Sequence, residues 1–66
     1  MILKGKSRKG MNRVRENGDT WELCGITHHV QFSDKTGPWG LVKAIQTGST
    51  RWVHMKSDDD FEIVKQ

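Results

Sequence analysis

No useful stretch of this chain repeats apolar residues at helical spacing, and seven glycines punctuate it. Short strands are therefore expected. The best local signal is Asn17-Gly18, a pair suited to a type I′ turn because both central residues need positive φ. A two-residue loop there sets Val14 against Trp21, Arg13 against Glu22, and Asn12 against Leu23. One face of that hairpin holds Val14, Trp21 and Leu23, and the other holds Arg13, Arg15, Thr20 and Glu22. Arg13 and Glu22 make a plausible cross-strand ion pair.

The second strand of this hairpin is expected to run on to Phe32, but its phase changes on the way. Trp21 and Leu23 are odd-numbered, whereas Ile26, His28, Val30 and Phe32 are even, and Gly25 sits at the switch. A bulge or sharp bend at Gly25 would keep both sets on one inner face. Residues 33–40 read as a loop from their turn chemistry. Residues 41–46 and 51–56 then form a second hairpin across residues 47–50, with Ala44 against Val53 and Val42 against Met55. Its apolar face is backed by a mixed one of Leu41, Lys43, Ile45, Trp52, His54 and Lys56. Asp58-Asp59-Asp60 makes a charged turn, and residues 61–64 a last strand with Phe61 and Ile63 inward.

The fold class that follows is mainly β. It is a small, strongly bent antiparallel barrel or sandwich of about five strands, SH3-like or OB-like in scale. That comparison is one of size and strand count, and carries no function with it.

Composition adds an asymmetry of charge. Lys4, Lys6, Arg8, Lys9, Arg13 and Arg15 give residues 1–15 six positive charges and no acid. The remainder has five bases against eight acids, so a net charge of +3 splits into +6 and −3. Residues 1–10, with two glycines, a serine and four like charges, are expected to be a flexible basic arm before a single β domain over 11–66. Such an arm suggests a polyanionic partner such as nucleic acid, or else simply a solubilising terminus. A chain of 66 residues buries a modest core, which leaves its oligomeric state open. Its one cysteine excludes an internal disulfide. No leader or membrane-spanning pattern is visible, and a cytoplasmic setting is expected.

Catalytic and metal chemistry find little support. Cys24, His28, His29 and His54 are possible ligands, but Cys24 and His28 lie about 13 Å apart on an extended strand. His28 and His29 point to opposite faces. No metal, cofactor or enzymatic activity is therefore expected. Cys24 reads as a small hydrophobe, and the aspartate run as a solvated turn.

Three tryptophans are a heavy aromatic load for this length. Trp21 is expected in the core. Trp39, between Pro38 and Gly40, either plugs one end of a barrel or stands out as an anchor. Trp52 shares the mixed face with Lys43 and Lys56 unless a register shift buries it.

Two functions fit. The first is a nucleic-acid-binding module in which Lys4, Lys6, Arg8, Lys9, Arg13 and Arg15 meet phosphate, while Trp52, Lys43 and Lys56 form a stacking surface. The second is a protein-interaction module or small inhibitor, using Trp39, Leu41, Ile45 and Trp52 or an edge strand. A tiny basic inhibitor of that kind would suit a virus with little coding capacity.

Overall fold

A computed structural model describes residues 1–64. The last two positions of the expected 11–66 domain lie outside the described residues. Five strands and one helix follow in order: β1 (Ile2–Gly5), α1 (Arg8–Asn17), β2 (Trp21–Thr27), β3 (Trp39–Ala44), β4 (Thr50–His54) and β5 (Phe61–Val64). The strands form two antiparallel sheets, β1-β5 and β2-β3-β4. The sheets meet where Ile2 bridges Thr20. Leu3, Trp21, Val42, Ala44, Val53 and Phe61 make the buried core, with Met1, Val14 and Ile63 packed against it.

The expected hairpin at Asn17-Gly18 is not formed, because residues 8–17 are helical. Ser7 caps the helix start, its Oγ accepting from Gly10 N at 2.9 Å. Gly18 ends it at φ 84°, donating its N–H to Val14 O at 2.7 Å. A glycine at positive φ serves a helix terminus as well as it serves a hairpin turn. The helix carries no apolar stripe because its buried face is Gly10, Val14 and Asn17, of which only Val14 is a large hydrophobe. Asn17 is acceptable there because both polar atoms of its amide are bonded: Nδ2 donates to Arg13 O, and Oδ1 accepts from Thr47 Oγ1.

The expectation of a flexible arm over residues 1–10 is also corrected. Ile2–Gly5 pairs with β5 in the register Leu3↔Ile63, and Leu3 is 1% exposed. The short apolar start of the chain is core, held by a partner strand from the far end of the sequence. Gly10 shows how closely α1 docks. A Cβ built there would lie 1.9 Å from the backbone oxygen of Asp60. Alanine normally stabilises a helix interior relative to glycine. Gly10→Ala is nevertheless expected to destabilise this protein by about 1–3 kcal/mol, as overpacking does. A urea melt decides the sign.

The bulge expected at Gly25 is present: the β2–β3 register shifts between Leu23 and Gly25, with Cys24 the extra residue. The strand stops at Thr27, however, and does not reach Phe32. Leu23, Ile26 and Phe32, expected inside, are 40%, 63% and 66% exposed, while Val30 is buried. The second hairpin forms with its turn earlier in the chain than expected, Gly48 N donating to Ala44 O with Gly48 at φ 77°. Its pairing is Gly40↔Val53 and Val42↔Arg51, in place of the expected Ala44↔Val53 and Val42↔Met55. A slip by an even number of residues leaves every side chain on its expected face. Val42 and Val53 are thus inward, with Leu41 opposite Trp52 on the other side.

Asp58 is buried rather than solvated. Its Oδ1 accepts from His54 N at 2.9 Å, and its Oδ2 from the N–H groups of Asp60 and Phe61 at 3.0 Å each. The carboxylate closes the turn between β4 and β5. His54 is buried as well, its Nδ1 accepting from Ser57 N–H and its Nε2–H donating to Thr36 O at 2.7 Å. Those two bonds fix the neutral tautomer and tie the 28–38 loop to the sheet.

Candidate nucleic-acid interface

The basic residues gather on α1 and beside it. Arg8, Lys9, Asn12, Arg13 and Glu16 line one shallow depression on the open side of the helix. All five are exposed, as is Arg15. Arg13 approaches Glu16 at 3.7 Å, an exposed pair of little energetic weight. Lys4 is exposed on β1. Lys6 is partly committed to structure, its Nζ donating to Asp58 O at 2.9 Å. The helix thus carries Arg8 and Lys9, expected on a loose arm, together with Arg13 and Arg15, expected on a strand.

Trp52 is half-buried on β4. With Phe32 it lines two neighbouring clefts. One holds Thr27, His29, Val30 and Gln31. The other, about 310 Å³, holds Lys9, Lys35, Arg51 and the three aspartates 58–60. Those acids are already engaged: Asp58 by three backbone N–H groups, Asp60 by the Ser7 hydroxyl at 2.6 Å, and Asp59 by Lys35 at 3.8 Å. Lys9 and Arg51 are the cations of this cleft that make no ion pair among the described residues. Lys43 and Lys56 are exposed on β3 and in the turn after β4, and line none of these clefts.

Trp39 is no anchor. It is 6% exposed, donates Nε1–H to Lys35 O at 2.8 Å, and meets the rings of His54 and Phe32 edge-on at 4.9 and 5.5 Å. It plugs the base of the 28–38 loop. Ile45 is 59% exposed but lies in the turn beyond β3, and Leu41 is half-buried opposite Trp52. The four residues of the expected protein-binding patch therefore do not form one surface.

Sequence reasoning missed Arg51 and Phe32. Arg51 stands at the inward parity of β4, beside Val53 and opposite Val42, with its Cζ 4.3 Å from the centre of the Phe61 ring. Burial lowers its pKa, the charges of Asp58 and Asp60 oppose that shift, and Arg13 reinforces it. A charged residue at an inward strand position was the available signal. Phe32 carried none, since only the early end of β2 exposes it.

Among the described residues no three His, Cys, Asp or Glu side chains gather as a metal site, and no helix is long and apolar enough to cross a membrane. No protein family, no curated protein and no solved structure matches the chain.

Proposed function

We propose that this protein is a nucleic-acid-binding module, not an enzyme, and that it takes single strands. The supporting observation is a continuous run of depressions joined by shared residues. Lys9 and Arg13 on α1 lead to Arg51, and Lys9 and Arg51 lead to Trp52 and Phe32. Cations that track phosphate, followed by exposed rings on which bases stack, are what a single strand requires. In this reading the two sheets approximate a bent barrel of SH3 or OB scale, with α1 laid along its outside.

The test is binding of labelled single-stranded and duplex oligonucleotides across a salt series. Single strands should be preferred, and log K should fall with log salt by roughly 0.7–0.9 for each phosphate contacted. Replacing Arg8 and Lys9 by glutamine, both exposed, should leave the melt unchanged and reduce that slope by about 1.4–1.8. Binding that ignores salt, or none at low salt, overturns the reading.

A protein partner is the second reading, and one observation favours it. Leu23 and Ile26 are exposed on β2, whose far edge pairs with no strand beyond Trp21 among the described residues. A strand added there would give contacts insensitive to salt.

A further inference from the structure

Between α1 and β4 lies a cleft of about 260 Å³ lined by Arg13, Asn17, Trp21, Ser49, Thr50 and Arg51. Among the described residues, two guanidinium groups and no carboxylate line it. The Asn17 amide bonds Arg13 O and Thr47 Oγ1, and the Trp21 N–H bonds Gly18 O, so their strongest contacts are already made within the protein. That leaves two arginines and two hydroxyls. Arg51 stands out among them because its Nε is buried and has no hydrogen-bond partner among the described residues. Its guanidinium lies over the Phe61 ring and, among the described residues, makes no ion pair, though the charges of Asp58 and Asp60 act on it. Arg13 reaches the same cleft from the helix, where only an exposed pair with Glu16 restrains it.

Like charges brought together beside hydroxyl groups match a tetrahedral oxyanion, since guanidinium forks bind phosphate through paired N–H donors. We infer that this cleft is a seat for a phosphate group, gripped by Arg13 and Arg51 together. On the nucleic-acid reading, on which its biological ligand rests, it holds one backbone phosphate and fixes the strand's register along α1. Burial lowers the Arg51 pKa, the charges of Asp58 and Asp60 oppose that shift, and the Arg13 charge, which a bound anion would offset, adds to it.

The experiment has two arms. In the first, inorganic phosphate is titrated into the protein while the Arg51 Nε–H resonance is followed by NMR, with chloride at equal ionic strength as control. A saturable shift with phosphate alone is expected. In the second, oligonucleotide affinity is measured against salt for Arg13→Gln, Arg51→Lys and the double variant. Arg13 is exposed, so its variant should fold normally, and Arg51→Lys keeps the charge while losing the fork. If both residues hold one phosphate, Arg13→Gln lowers the slope by about 0.7–0.9 and adding Arg51→Lys lowers it no further. Each single variant should weaken binding several-fold, and the double variant hardly more.

Oligonucleotide binding with multiplicative losses and an unmoved Arg51 signal overturns the seat and leaves the nucleic-acid reading standing. A saturable phosphate shift without oligonucleotide binding keeps the seat and overturns that reading. Neither effect overturns both.

Discussion

Asp58→Ala is expected to lower stability by about 3–5 kcal/mol, the range for removing the acceptor from several buried donors at once. A domain of this length holds only roughly 3–10 kcal/mol in total, so much of the variant should be unfolded at room temperature. The cause is specific. One carboxylate accepts from the N–H groups of His54, Asp60 and Phe61, at the end of β4 and the start of β5. Alanine leaves all three donors facing a gap. Two of those bonds lie fully inside the protein, where water does not replace the lost acceptor. β5 is the partner of β1, so the loss should spread to Leu3 and Phe61 in the core. Asp59, next in sequence, supplies the control. Its side chain is 93% exposed, and Asp59→Ala should shift the melt by no more than about 0.5 kcal/mol. Equal urea midpoints for the two variants would mean that the turn does not depend on the Asp58 carboxylate.

The aspartate run illustrates what the sequence makes visible. Three consecutive acids announce a turn, and a turn is there, but their order does not say which carboxylate goes inward. That depends on the spacing between His54 and Phe61, which only the folded chain fixes. The two strands of the second hairpin were legible because alternation marks a face whatever the register. A slip in the β3–β4 pairing therefore left Val42 and Val53 inward as expected. The bulge was legible because a change of phase at a glycine has few other causes. The first twenty residues were not. Asn17-Gly18 satisfies two rules, one for hairpins and one for helix ends, and Val14 falls in the interior under either. The deciding contacts come from far along the chain: Asp60 receiving Gly10, Thr47 bonding Asn17, and β5 pairing with β1. No local pattern records those. The candidate site shares the same history. Its helical cations were visible as charge, whereas Arg51 enters only once β4 is placed beside α1.

Trp21→Ala is expected to cost about 3–5 kcal/mol, the usual loss for a buried aromatic cut to a methyl. Trp21 is 2% exposed, and its strand partner is Ala44, a small residue that leaves the indole to fill the space between sheet and helix. Its Nε1–H donates to Gly18 O at 3.0 Å, tying the residue that ends α1 to the start of β2. Removing the ring therefore loosens the helix as well as emptying part of the core. Trp21→Phe separates the two contributions: it keeps most of the apolar contact, loses the hydrogen bond, and should cost about 1–2 kcal/mol. Trp52→Ala belongs in the same series, because that ring is only half-buried. It should cost less than Trp21→Ala while abolishing the preference for single strands, so stability and binding divide between two tryptophans. Far-UV circular dichroism is the proper readout, since each variant changes the fluorescence. If Trp21→Ala melts no earlier than Trp52→Ala, the helix is not docked through Trp21. The row of cations on α1 would then owe its fixed geometry to Gly10 against Asp60 and to Asn17 against Thr47.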